Sequence, residues 1–377
     1  MAGIYLHIPF CKQACHYCDF HFSTNLDNRA SIVAAITEEL VLQRDYLQGE
    51  RVNTVYFGGG TPSLLSEAEL NGMLDTLYKT FPVNTGAEFT LEANPDDLTK
   101  DKLASLRRSG INRLSIGIQS FDDAVLKFLN RAHNATLASQ CVVDAYDAGF
   151  ENISIDLIYA IPDQTEAVWE ENIQKALNLN PQHISSYSLT IEQKTAFGRW
   201  AAAGKLRPVD DDLAGQQLQV LVGRLEGAGF DQYEVSNFAL PGFQSRHNSS
   251  YWKSEAYLGV GPSAHSYNGA HRQFNISNNS LYLKALQAKT IPATREELTR
   301  EDQINDYLLT TLRTAWGADL THIFNTWHYD VPTTHGPYLN DLLRSQYASL
   351  DNNILRLTRR GKLLADKIAS DLFLLTP

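Results

Sequence analysis

Apolar residues along this chain recur with two periods. Short β-branched runs, Ile4 to Ile8, Thr54 to Phe57, Glu88 to Glu92, Arg113 to Ile118, Ile153 to Ile158 and His183 to Thr190, read as strands. Between them apolar side chains return three and four residues apart, as in Val33, Ile36 and Leu40, then Leu70, Met73, Leu74, Leu77 and Phe81, which predicts amphipathic helices. Further helices are expected around Lys102 to Arg108, Ala135 to Ala148 and Glu166 to Leu177. Strand–helix units in succession imply a parallel sheet with helices outside, so the expected class is α/β, an open or partial (β/α)6 barrel. Asp210 to Ala228 reads as another helix and Phe230 to Phe238 as an extended segment. From about Pro292 the texture changes. Helices around Glu301 to Thr314 precede a short strand and turn at Ile354 to Gly361, and Lys362 to Leu374 reads as a last helix. The expected division is a barrel over residues 1–205, an extension over 206–290, and a small, mainly helical, winged-helix-like domain over 291–377.

The 377 residues, 43% of them apolar and 20% charged, can bury a large core. No run of about eighteen apolar residues occurs, and Met1 to Tyr5 lacks the regions of a signal peptide, so the cytoplasm is the expected address. A formal charge of −11 argues against a nucleic-acid partner, and for the winged segment favours protein docking instead.

Chemistry concentrates at Cys11-Lys12-Gln13-Ala14-Cys15-His16-Tyr17-Cys18, which holds three of the four cysteines. Thiolates at this spacing suit an iron–sulfur cluster with one iron left open, or zinc with His7, His16 or His21 as fourth ligand. Cys141, in a helical pattern, reads as buried packing. Other signals fall where strands end, the edge at which parallel barrels collect function. They are Gly58 to Pro62, Glu92 to Pro95 and Gln119 to Phe121. Singly, each has a plain reading as a tight turn, a solvated carboxylate or a surface cation such as Arg131. Asp156 is harder to dismiss, because it sits inside Ile153 to Ile158, where a carboxylate needs a partner or a ligand.

Taken together, Tyr5 to Cys11, the Cys-x3-Cys-x2-Cys loop and Gly58 to Pro62 resemble the radical S-adenosylmethionine superfamily. Asn112 to Phe121, Asn130-Arg131-Ala132-His133 and Asp156 to Pro162 narrow the resemblance to its oxygen-independent coproporphyrinogen III oxidase branch. The resemblance implies that Cys11, Cys15 and Cys18 hold a 4Fe-4S cluster and that S-adenosylmethionine chelates the fourth iron, where an electron cleaves its sulfonium. Tyr5, Tyr17, Gly60 and Thr61 would orient that cofactor near the cluster. Glu92, Gln119, Arg131 and Asp156 would face its ribose and amino acid ends, with His265 a further candidate.

The branch divides into decarboxylating enzymes and heme chaperones. The enzymes carry a further cysteine two residues after the third and a longer stretch before the cluster; here Phe20 follows Asp19, and ten residues precede Cys11. Both features resemble the chaperone group. Arg246-His247-Asn248-Ser249-Ser250-Tyr251-Trp252 resembles that group's His-Asn-x-x-Tyr-Trp signature, implying heme contact through His247, Tyr251 and Trp252, with Arg246 toward a propionate. On the residues alone the same stretch reads as a polar loop with Trp252 as an anchor. The expected partners are heme, a heme-recipient protein such as a membrane-bound respiratory one, and an electron donor; a homodimer stays open. The alternative activity is coproporphyrinogen III dehydrogenation, and its catalytic residues are not assigned.

Overall fold

The structure, a computed structural model, describes residues 2–208 and 210–375; Met1, Val209, Thr376 and Pro377, which fall within the three expected segments, lie outside the described residues. The chain runs β1 (Ala2–Ile8), α1 (Arg29–Leu42), β2 (Val52–Gly59), α2 (Glu67–Thr80), β3 (Val83–Ala93), α3 (Lys100–Arg108) and β4 (Arg113–Gln119). It continues through α4 (Asp123–Phe128), α5 (Ala135–Asp147), β5 (Ile153–Tyr159), α6 (Glu166–Asn178) and β6 (His183–Ser188). All six expected strands are therefore present, each paired in parallel with the next. Their apolar runs are buried almost without a break, as sheets covered on both faces require. Polar caps start the helices: Ser66 and Glu69 form a reciprocal capping box at α2, and Thr99, Asn134 and Thr165 cap α3, α5 and α6.

The sheet is larger than the sequence pattern suggests. After α7 (Ala196–Ala202) and α8 (Asp211–Gly227), the hairpin β7 (Asp231–Glu234) and β8 (Asn237–Ala239) adds to the β6 edge. Helix α9 (Arg246–Trp252) leads to β9 (Tyr257–Val260), β10 (His265–Tyr267) and β11 (His271–Asn275), then α10 (Asn279–Gln287) and β12 (Ala293–Glu297). These strands extend the β1 edge, giving the order β12-β11-β10-β9-β1-β2-β3-β4-β5-β6-β8-β7 in a sheet that does not close. Strand β9 is only four residues long and contains Gly259, too short to show a period of two. One hydrophobic core runs from Ala2 to Leu286 through both of the first two expected segments.

A second core, from Ile304 to Leu372, belongs to the last segment. There α11 (Arg300–Leu312), β13 (Ala318–Asp319), α12 (Leu320–Trp327) and α13 (Val331–Arg344) precede β14 (Ala348–Asp351) and β15 (Ile354–Leu357), whose three strands form a small sheet. The turn expected at Arg360-Gly361 is instead a short helix, α14 (Arg359–Lys362), and the last expected helix is shorter, α15 (Ala365–Asp371). The break comes at Leu364, whose φ of −120° and ψ of 22° leave the helical range; Leu363 and Leu364 both line the cleft described below.

The β1-edge extension is tied down by Glu39 of α1, which is fully buried. Its carboxylate accepts hydrogen bonds from Tyr282 Oη at 2.5 Å, Asn275 Nδ2 at 2.7 Å, Gln43 Nε2 at 2.7 Å and the Gly261 N–H at 2.8 Å. Four donors satisfy a group whose burial alone pushes its pKa up. Glu39→Ala is expected to lower stability by about 3 kcal/mol or more, because it strands the buried donors of Tyr282, Asn275, Gln43 and Gly261. Urea unfolding checks this, and a loss under about 1 kcal/mol would contradict it.

Candidate functional site

The carboxyl ends of β1 to β6 open on a cleft of about 990 Å³. Its floor depends on a close backbone crossing at the end of β2. Gly60 N–H donates to the Ile8 carbonyl at 2.9 Å, and a Cβ on Gly60 would lie 2.7 Å from the Phe10 carbonyl oxygen. Only glycine allows that approach, which brings the chain after β1 across the mouth and carries the cysteine loop with it. Cys11, Cys15 and Cys18 are all half-buried and all line the cleft. Gln119, at the end of β4, sits at φ +66°, and the β4–β5 register slips between Ile116 and Gln119. Strain of this kind, in a non-glycine residue facing a cleft, is held by surrounding structure and concentrates at functional sites.

Polar groups around the loop are organised. Thr61 Oγ1 donates to Cys11 Sγ at 3.4 Å and accepts from Asn94 Nδ2 at 3.2 Å. Arg131 reaches Cys15 Sγ at 3.3 Å through Nη1, while Nη2 is held at 2.7 Å by both Asn94 Oδ1 and the Gly117 carbonyl. A fixed cation thus stands beside the sulfur. Burial pushes the thiols of Cys11 and Cys18 up to about 11 and about 12, so an apo loop holds them protonated and a bound cation is needed to make thiolates.

Two carboxyls occupy the deeper wall. Glu92 accepts from Tyr56 Oη at 2.8 Å and from the Gly59 N–H at 3.1 Å, and burial followed by nearby Asp156 raises its pKa to about 7. Asp156 is raised to about 6, again chiefly by burial, against which Ser185 and Ser115 hydrogen bonds and the charges of Arg113 and Arg131 act. Arg113 is 1% exposed and is the buried cation that both carboxyls feel.

Of the expected cofactor residues, Tyr17, Gly60, Thr61, Glu92, Gln119, Arg131 and Asp156 line this cleft. Tyr5 lies behind the wall, its Oη 3.1 Å from His7 Nδ1 and its ring stacked on Tyr56. His265 lies outside the lining, exposed on β10 and stacked on Phe274. The reading of Arg131 as a surface cation is corrected by its contacts with Cys15 and Gly117.

Helix α9 carries the His-Asn-x-x-Tyr-Trp stretch behind the sheet rather than in an open loop. His247 is 1% exposed; Nδ1 lies 2.8 Å from Thr54 Oγ1, Nε2 lies 2.7 Å from Tyr251 Oη, and the ring stacks on Tyr56 at 5.0 Å. Burial lowers its pKa to about 3. Both nitrogens are engaged, so in this conformation the imidazole has no lone pair for a heme iron, and Tyr251 is turned inward with it. Trp252 lies under the Arg313 guanidinium, 5.6 Å from its ring centre. Arg246 donates to the Gly86 carbonyl at 2.7 Å. Only Asn248 of the stretch reaches the cleft.

Asn94 falls in the stretch Glu92 to Pro95 singled out from sequence, and a carboxyl-terminal domain over the barrel mouth is what the family resemblance implies; sequence reasoning gave no role to Tyr56 or Arg113 and did not name the residues of the roof, Lys362 to Lys367 with Arg313. Tyr56 and Arg113 read as ordinary strand positions, and the roof lies some 350 residues along from the cysteines in sequence, with no local signal. His7 is hydrogen-bonded by Tyr5 and to the His21 carbonyl, and His21 Nε2 lies 2.8 Å from Asn279 Oδ1. His16 does not line the cleft. The donor set facing the cleft is three thiols with no imidazole, which fits a cluster keeping one open iron.

A parallel partial barrel with these thiols after its first strand defines a radical S-adenosylmethionine protein, and the profile of the Radical SAM superfamily matches residues 5–176. The chain is 33% identical over 371 residues to the heme chaperone HemW of Bacillus subtilis (strain 168), covering 98% of each protein. It is 38% identical over 270 residues to HemW of Escherichia coli (strain K12), covering 70% of this chain and 69% of that one. The chain belongs to the HemW family. In fold it matches the solved structure of coproporphyrinogen III oxidase (HemN) from Escherichia coli, a radical SAM enzyme. That match has a TM-score of 0.85 and 24% identity, covering 99% of this chain and 90% of that one.

The raised Glu92 pKa has a definite sign in stability. Folded protein holds this proton more tightly than unfolded protein, so the contribution is full below the ordinary value near 4.5 and is lost as pH rises through about 7. Glu92→Gln keeps an acceptor for the Gly59 N–H, and its amide can donate to Tyr56. The variant is expected to melt higher than wild type at pH 8 and to differ little at pH 5. Equal shifts at the two pH values in thermal melts would rule this out.

Proposed function

We propose that this protein binds heme and delivers it to recipient proteins, and that it carries a 4Fe-4S cluster on Cys11, Cys15 and Cys18 with S-adenosylmethionine beside it. The observation that carries the reading is the near full-length similarity to proteins named heme chaperone HemW, joined to a cleft whose lining includes three thiols. When bound, the cluster supplies an open iron and one-electron chemistry toward a sulfonium. The residues present fit such a group. Arg131 offsets negative sulfur, Thr61 bonds Cys11, and the Gly60 crossing holds the loop over the mouth. Glu92 and Asp156 are carboxyls suited to hydroxyls and to a cationic ligand, whose arrival would favour their ionised forms. Arg131 has one buried nitrogen, Nε, without a partner, a donor left for a carboxylate. Tyr56 and Gly59 fix the orientation of Glu92.

Three of the four cysteines lie in one loop and all four are unpaired, which suits a reducing, cytoplasmic setting. Among the described residues no helix is long and apolar enough to cross a membrane, so contact with a membrane-bound recipient would run through that recipient. The likeness to HemN is one of fold, and the position two residues beyond Cys18 holds Phe20 rather than a cysteine.

The test is anaerobic, on cluster-reconstituted protein. We expect stoichiometric binding of ferric heme in a Soret titration, transfer to an apo acceptor such as apomyoglobin, and no protoporphyrinogen from coproporphyrinogen III with S-adenosylmethionine and a reductant. Catalytic vinyl product, or an absence of heme binding, would overturn the reading. Binding of S-adenosylmethionine by calorimetry is expected to weaken as pH falls through about 7, where Glu92 and then Asp156 take up protons, and to lose most of that dependence in Glu92→Gln.

A further inference from the structure

The cysteine loop has two faces. Tyr17 looks into the cleft, whereas its neighbour His16 lines a separate hollow of about 650 Å³ on the outer side, a volume within the range of small-molecule sites. Cys15, Cys18, Asp19 and Phe20 border both spaces, so the loop is a thin wall between them. From the outer hollow, resting on the function proposed above, we propose that heme cargo sits there, with His16 Nε2 as its iron ligand and Lys194 and Arg199 as partners of its propionates.

The imidazole is prepared for this role. His16 Nδ1 lies 2.9 Å from the Phe128 carbonyl, which can only accept, so Nδ1 carries the proton and in the neutral ring Nε2 keeps its lone pair. Metal-ligating histidines characteristically have this arrangement, one nitrogen anchored to a carbonyl and the other free. His247, with both nitrogens occupied, is the opposite case. The backbone of His16 is pinned as well, its N–H to the Leu129 carbonyl at 3.1 Å and its carbonyl to the Phe197 N–H at 3.0 Å. The Trp200 ring meets it edge-on at 4.7 Å, which restricts the plane of the imidazole.

The rest of the hollow matches a flat apolar ring carrying two carboxylates. Phe20 is 72% exposed, a large apolar side chain with little covering it, and Phe22 and Trp200 add aromatic wall. Lys194 and Arg199 are exposed and make no ion pair among the described residues; the Arg199 guanidinium donates to the Lys194 carbonyl at 3.2 Å. The charged side chains of the lining are these two cations and one carboxylate, so the hollow itself carries a net positive charge. Asp19 is the one carboxylate in the lining and sits with Phe20 at the border shared with the cleft. Binding forms an Fe–N bond with a neutral imidazole and displaces water, with no change of redox state.

The experiment is a ferric heme titration of reconstituted protein followed by Soret absorbance and low-temperature electron paramagnetic resonance. It compares wild type with His16→Ala, with the double variant Lys194→Ser and Arg199→Ser, and with His247→Gln. We expect His16→Ala to lose the histidine-ligation spectrum and to bind roughly tenfold or more weakly. The double variant should keep that spectrum and weaken by roughly tenfold, the size of one charge-assisted contact, while His247→Gln keeps both. Circular dichroism and iron content establish that each variant is intact. If His16→Ala loses its cluster, the exposed double variant decides alone. An intact His16→Ala or double variant binding heme as tightly as wild type overturns the site while leaving heme cargo standing. Wild type that binds no heme defeats the function itself.

Discussion

The constraint on which the site depends is a backbone contact without side chains, the crossing of Gly60 against residues 8 to 10. The parallel β1–β2 register runs from Ala2–Val52 to Ile8–Gly59, and the hydrogen bond from Gly60 to Ile8 continues it one step past the strand ends. Any Cβ at Gly60 would meet the main chain at 2.7 to 2.8 Å, and one at Gly59 would meet the His7 ring, in a backbone already at φ +105°. Main-chain atoms cannot swing aside as a flexible side chain can, so a substitution here would shift the cysteine loop itself. The cleft wall, the Arg131–Cys15 contact and the two-sided exposure of Cys15 all inherit their positions from this crossing.

Most of the barrel was legible because its strands and helices announce themselves locally. The run Ile153 to Ile158 and the heptad-like spacing of Leu70, Met73, Leu74 and Leu77 each fix an element without knowledge of its neighbours. Strands β9 to β12 were not legible, since three to five residues carry too little periodicity and part of what fixes them, the bonds of Gly261 and Asn275 to Glu39, comes from a distant helix. The break between α14 and α15 was hidden for a similar reason. Lys362 to Leu374 is locally a good helix, and the departure of Leu364 from helical angles, at φ −120° and ψ 22°, has no signal in the sequence around it.

The site divides along the same line. Residues at strand ends were found from sequence, because topology alone sends that edge to the mouth. Partners one layer back were not. Tyr56 and Arg113 act through Glu92 and Asp156, and their roles exist only once β2, β3, β4 and β5 lie side by side. The expectation that Asp156 needs a partner rested on the free energy of an unpaired charge in a sheet. The partners turn out to be Ser115 on the flanking strand, Ser185 on the other side and Arg113 behind, which act against a burial that raises the carboxyl to about 6.

The two histidines that matter most show how far residue type falls short of role. His247 sits in a stretch resembling a heme signature, and from sequence it is the stronger ligand candidate; His16 stands only as a spare fourth ligand to zinc. Their hydrogen bonds in the fold run the other way. Thr54 and Tyr251 close both nitrogens of His247, and its stacking on Tyr56 makes it part of the brace behind Glu92. The Phe128 carbonyl closes one nitrogen of His16 and thereby fixes the other as the acceptor. What distinguishes the two is the hydrogen bond made by the nitrogen that does not ligate, and it comes from α4, more than a hundred residues away in the chain. A ligand assignment for such a chain therefore has to follow the partners of each ring nitrogen before it follows the motif.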